Sequence, residues 1–153
     1  MAKMASYFQP MQIFTIGYEA TTQAEFIATL TAAGVARVID VRAVPLSRKP
    51  GFSKNILRNG LADAGIDYVH LKALGTPPEG REAARKGRRA DLERIYAGQL
   101  DLPEAIVAAA EMRELAAEKP SALLCFERAP GGCHRSLLLR WAAPDAEVVD
   151  LFV

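Results

Sequence analysis

Apolar positions switch repeatedly between an extended and a helical period along the chain. From Gln12, the run Ile13-Phe14-Thr15-Ile16 stops at Gly17, and Thr22-x-x-Glu25 then forms a capping box ahead of Phe26, Ile27 and Leu30 at helical spacing. Gly34 ends that helix, and a second β-branched run covers 35–41, closing on Asp40-Val41-Arg42. Ser53 is placed to cap a second helix whose Ile56, Leu57, Leu61 and Ala64 share one face, with a third strand over 66–71. Residues 72–90 carry two prolines, three glycines and five basic residues between Arg81 and Arg89, and read as a long loop with a helical turn or two. Helices follow near 90–98 and 102–118, the second opened by Asp101. A buried strand covers 122–126, Gly131-Gly132 makes a turn, a helix over 133–142 points Leu137, Leu138 and Trp141 inward, and a last strand covers 147–153.

Strand alternating with helix predicts a three-layer α/β/α fold around a mostly parallel sheet of about five strands. A single α/β domain is expected over 12–153, with 1–11 as a loose leader. At 153 residues the chain can bury roughly 70% of its unfolded surface, so it needs no covalent staples. Two cysteines are too few for a disulfide scaffold, and Cys125 and Cys133 are expected to be reduced: catalytic, ligating or merely buried. The apolar runs fall short of the ~20 residues of a membrane span, and the start lacks a secretory core, so a cytoplasmic protein without a membrane partner is expected.

In a parallel sheet covered on both faces, ligands bind outside the carboxyl ends of the strands. The residues there are Gly17 and Tyr18 after the first strand; Asp40, Arg42, Ser47 and Arg48 after the second; His70 at the third; and Cys125, Glu127, Arg128, Cys133, His134 and Arg135 after the fourth. The densest stretch is Cys125-Phe-Glu-Arg-Ala-Pro-Gly-Gly-Cys-His-Arg-Ser136. The free amides of its helix start, beside Gly132, Arg135 and Ser136, suit an anion, and the same positive end favours a thiolate at Cys133. A Cys-His nucleophile pair is open, with His70 or His134 as base, although adjacent helical Cys133 and His134 would not face each other. A metal set would recruit Cys125, Cys133, His134 and His70, at a cysteine spacing unlike the usual short zinc motifs. Asp40 and Arg42 share a strand face and are free to pair; alternatively Arg42, Ser47 and Arg48 grip an oxyanion. Neither a P-loop nor a dinucleotide-binding turn is present, and the identity of any cofactor stays open.

The net charge of +1 hides a segregation. Residues 37–94 hold 13 Lys and Arg against 7 Asp and Glu, whereas 95–153 hold 5 against 9. A local anion site is compatible with a neutral total. If 81–89 is helical, Arg81, Arg85, Arg88 and Arg89 form a basic stripe, a possibility that Gly87 weakens.

Thr15-Ile-Gly-Tyr18, Asp40-Val-Arg42 with Pro45-x-Ser-Arg48 and Phe52, Tyr68-Val-His-Leu71, Leu74-Gly75, Tyr96, and Leu124-Cys-Phe-Glu127 with Cys133-His-Arg-Ser136 occur in an order that resembles the domain of unknown function 488 family. The resemblance implies an α/β fold with these positions as its signature, and no reaction. It carries no role onto 85–89, where similar proteins are often shorter or less arginine-rich. The leading expectation is a protein that binds or processes a phosphate-bearing ligand, a nucleotide or nucleic acid. Arg42, Arg48, Arg128 and Arg135 would hold the anion, Cys133, Cys125 and His70 would react, and Asp40 or Glu127 would orient them. The alternatives are a non-catalytic nucleic-acid module using the basic middle and a metal-binding protein. A homodimer through an edge or helix face fits the fold class.

Overall fold

A computed structural model describes residues 10–153, so the leader expected over 1–11 falls outside the described residues except for Pro10 and Met11. Met11 packs against the core, and its carbonyl accepts a 2.8 Å hydrogen bond from the Glu147 amide. Five strands, β1 (Gln12–Gly17), β2 (Arg37–Asp40), β3 (Asp67–His70), β4 (Ser121–Cys125) and β5 (Glu147–Leu151), form one all-parallel sheet in the order β3-β2-β4-β1-β5. Six helices cover it: α1 (Gln23–Ala32), α2 (Lys54–Asp63), α3 (Pro78–Arg85), α4 (Arg89–Leu100), α5 (Pro103–Glu118) and α6 (Arg135–Ala142). None is long and apolar enough to cross a membrane.

The central strands read as apolar runs because both faces are covered. Phe14, Ile16, Val38, Ala122 and Leu124 pack under Phe26 and Leu30 of α1 and Leu57 and Leu61 of α2. Ile13, Ile39 and Leu123 face the other way, onto Tyr96, Leu100, Met112, Leu138 and Leu139 of α4, α5 and α6. Thr22 caps α1 as expected, its Oγ1 accepting from the Glu25 amide at 3.2 Å. The Glu25 carboxylate accepts from the Thr22 hydroxyl at 2.8 Å rather than from the Thr22 amide, so only half of the capping box forms.

Several local expectations are corrected. Ser53 occupies the cap position of α2, but its hydroxyl serves the preceding loop, accepting from the Ser47 amide and donating to the Ser47 carbonyl. Ile56 is 59% exposed because only Leu57 and Leu61 of its face reach the sheet. Asp101 closes α4, and Leu102 caps α5. In α6 the inward face is Arg135, Leu138 and Leu139, and Trp141 lies outward. Within 72–90 the expected turn or two of helix does form, as α3, which Pro78 starts at the helix position where its missing N–H costs nothing. Gly87, at φ +69°, then turns the chain into α4, so the four arginines form no continuous stripe.

The strand order places β1 beside β4. The chain leaves β1 toward β2 and leaves β4 in the opposite direction, toward β5. That reversal opens a crevice at their carboxyl ends.

Candidate functional site

Gly17 and Cys125 are register partners at the ends of β1 and β4. A Cβ at Gly17 would lie 1.9 Å from the Glu127 carbonyl oxygen, so only glycine lets the 126–128 segment cross the strand end this closely. The Glu19 amide donates to the Phe126 carbonyl at 2.9 Å, and Glu19 Oε1 accepts from the Arg128 amide at 3.1 Å, fixing that segment. Beside it a cleft of about 780 Å³ opens, with Tyr18, Arg42, Cys125, Glu127, Cys133 and His134 contributed by the strand ends. Arg81 and Arg85 of α3 and the apolar Val44, Leu46 and Phe126 complete its walls.

Arg42 is almost fully buried, and it pairs in a two-point fork with the wholly buried Asp40: Nε to Oδ1 at 2.9 Å and Nη2 to Oδ2 at 2.7 Å. Its Nη1 donates to the Phe52 carbonyl at 2.8 Å and to the Tyr18 hydroxyl at 3.3 Å. The Tyr68 hydroxyl donates to the same Asp40. Burial works against the Arg42 charge, but Asp40 outweighs it and raises the guanidinium pKa. Burial and the Asp40 charge likewise raise the Tyr68 phenol. The strand-face pairing of Asp40 with Arg42 thus forms, and the oxyanion grip by Arg42, Ser47 and Arg48 does not. Ser47 is occupied with Ser53 and the Lys49 amide, and Arg48 is exposed and lines no part of the cleft.

The loop after β4 differs from expectation in detail. Cys125 and Cys133 are joined in a disulfide, where separate thiols were expected. A helical turn at Pro130–Gly132 folds the loop back, and Cys133 is extended (φ −133°, ψ 177°) with His134 as the cap residue of α6. Because neither is inside the helix, the argument that neighbouring helical positions diverge does not apply. Both sulfurs and a ring nitrogen of His134 lie within 4.8 Å of one another, all three residues buried. His134 Nε2 donates to the Val41 carbonyl at 2.8 Å, and burial pulls the ring's pKa down to about 4, so it is neutral. Glu127, beside Cys125 at 3.6 Å, has its carboxyl raised by burial.

His70 is not with this group. Its Nε2 bonds the Arg42 carbonyl at 2.7 Å, which makes it a brace for the turn after β2, away from the cysteines and the cleft lining. Arg135 points inward: its Nη2 donates to the carbonyls of Glu127 at 2.6 Å and Arg128 at 3.0 Å, and burial lowers its pKa to about 10. Its Nε and Nη1 are buried without a protein partner. Arg128 faces outward over the Phe152 ring. At the start of α6 the Arg135 amide donates to Cys133 Sγ at 3.4 Å and Ser136 Oγ accepts from Arg89, so these two groups of the expected anion seat are engaged by the protein. Gly132 lies in the exposed turn.

Arg81 and Arg85, expected only as part of a basic stripe, are the cationic groups of α3 that line the cleft. Arg81 is steadied by a 2.8 Å bond to the Thr76 carbonyl, and Arg85 is exposed and forms no salt bridge among the described residues. Pro78-Glu79, a typical first-turn pair, was the signal for the helix that carries them. The family model described as Domain of unknown function DUF488 matches residues 22–142. No curated protein and no solved structure matches the chain.

Proposed function

The chain belongs to the domain of unknown function 488 family, whose description names no reaction; from the site itself we propose that the protein binds a phosphate-bearing ligand of the nucleotide class in the cleft at the β1–β4 switch. The observation that carries this reading is that Arg81 and Arg85 line the same cleft as the apolar Val44, Leu46 and Phe126. Val44, Leu46 and Phe126 are 47%, 70% and 45% exposed, a surface suited to the flat face of a base. The guanidinium groups supply fork-shaped donors for phosphate oxygens. Arg42 shapes the cleft wall, its charge matched by Asp40 and its hydrogen bonds held by Asp40, Tyr18 and the Phe52 carbonyl.

Calorimetric titration with inorganic phosphate, nucleoside mono- and diphosphates and short oligonucleotides tests the reading. Expected is saturable nucleotide binding, weakened about tenfold in Arg85→Ala and in Arg81→Ala, in line with about 1.5 kcal/mol for a charged hydrogen bond. Absence of binding at low salt, or affinity unchanged in both variants, overturns it. Oligonucleotide affinity that exceeds nucleotide affinity and falls steeply with salt would favour a nucleic-acid module instead.

A further inference from the structure

We propose that Cys125, Cys133 and His134, once the two cysteines are reduced, hold a zinc-class divalent ion on the floor of the cleft. This goes beyond the phosphate reading and stands independently of it.

The donor set is two sulfurs and one imidazole whose ligating atoms lie within 4.8 Å of one another. Tetrahedral zinc, with Zn–S about 2.3 Å and Zn–N about 2.0–2.1 Å, needs such donors roughly 3.5–3.8 Å apart. With the S–S bond reduced, the sulfurs are free to move apart toward that spacing and the ring nitrogen to close on them. The backbone supports this separation: the Cα atoms of Cys125 and Cys133 are 7.5 Å apart, beyond the roughly 4.4–6.8 Å usual for disulfides. Sulfurs held apart on an ion suit this frame.

The surroundings resemble those of a ligand set. His134 Nε2 must carry the proton, because its partner is the Val41 carbonyl, which only accepts. The lone pair of the neutral ring is therefore on Nδ1. A ligating histidine ordinarily donates its second nitrogen to just such a carbonyl, which fixes its tautomer and orientation. Tyr96 packs edge-on against the ring, 5.1 Å between centroids, and further limits its rotation. The Arg135 amide donates to Cys133 Sγ, an interaction that stabilises a thiolate. All three residues also line the cleft, so the ion's remaining position faces the space assigned to ligand. Two cysteines, one histidine and an open position make up a catalytic zinc site in some enzymes, whereas structural zinc sites are closed by a fourth protein ligand.

The disulfide and the ion exclude one another, since both use the sulfur lone pairs and charge. Reduction by an external dithiol transfers two electrons and two protons, leaving two protein thiols and an oxidised reagent. Binding of the divalent ion then releases those two protons as the thiolates form, with no further change in oxidation state.

Metal-free, reduced protein titrated anaerobically with cobalt, a visible stand-in for zinc, is the test. Expected are thiolate-to-cobalt charge-transfer absorption saturating at one ion per chain, with about two protons released per ion. The oxidised protein should show neither. His134→Gln and Cys125→Ser should each weaken binding by about 100-fold or more, exceeding the roughly 10- to 100-fold seen when only the groups behind a ligand are lost. The proposal is overturned if reduced wild-type protein gives no charge-transfer band, if the oxidised protein binds equally well, or if His134→Gln keeps wild-type affinity. The first two readouts need only wild-type protein and so hold even if a variant fails to fold.

Discussion

The two sides of the cleft treat arginine in opposite ways. At the end of β2, Arg42 is sealed below the surface in a network with Asp40, Tyr18, Tyr68 and the Phe52 carbonyl. On α3, Arg85 stands exposed, and Arg81 spends one nitrogen on the Thr76 carbonyl. The first arrangement builds the wall, because a buried guanidinium is tolerated only when its donors are matched. The second leaves donors directed at solvent or ligand. Between them, Arg135 is buried like Arg42, yet its partners are carbonyls without formal charge and two of its nitrogens are unmatched. The contrast in pKa direction, raised for Arg42 and lowered for Arg135, follows from that difference: both suffer from burial, and only Arg42 has a carboxylate directly bonded to offset it.

If the β2 side is scaffold, breaking it should harm folding first. Asp40→Ala leaves Arg42 charged and buried, and should cost about 3–5 kcal/mol in chemical denaturation. A loss below 1 kcal/mol would mean that Arg42 relaxes to solvent and that the two sides are less distinct than their burial suggests. Next in size is Gly17→Ala, whose methyl meets the backbone oxygen of Glu127 and should destabilise by about 1–3 kcal/mol while displacing the 126–128 segment. Differential hydrogen exchange should locate the added mobility in that segment, and uniform loosening would contradict the local clash.

On the α3 side the opposite pattern is expected. Arg85→Ala should change the melting temperature little, as surface substitutions usually fall within about 0.5 kcal/mol, while weakening nucleotide binding. A marked loss of stability with unchanged binding would reverse the assignment of the two sides. The smallest effect is expected from Arg128→Ala: its guanidinium lies over Phe152 and outside the cleft, so both stability and ligand affinity should stay near wild type. A large loss of nucleotide affinity there would restore Arg128 to the binding site.

Much of the architecture was legible because it depends on local period. The runs at Ile13 and Leu123 and the cap at Thr22 declare themselves within a few residues, and their alternation implies parallel strands with helices on both faces. Helix edges and facing were less legible. Ile56 and Trp141 fit helical spacing, but which apolar residue faces the sheet depends on how far each helix is rotated against it. Of the residues proposed from strand ends, Tyr18, Arg42, Cys125, Glu127, Cys133 and His134 line one cleft, whereas His70, Ser47, Arg128 and Arg135 turn to other partners and Arg48 is exposed. Strand position predicts the level of a residue in the sheet, and the side chain's direction depends on neighbours distant in sequence.

By itself the sequence determined the class of fold, the edge of the sheet where polar residues gather and the concentration of basic charge between 37 and 94, since these follow from period, strand direction and counting. Tertiary structure alone decided which arginines are scaffold and which line the cleft. It alone joined Cys125 to Cys133 and set His134 beside them, by folding the intervening residues 126–132 back over the end of β4. The physical reason is that availability for chemistry is what remains after burial and hydrogen bonding have claimed each polar group, and those partners come from elements that only the packed sheet brings together.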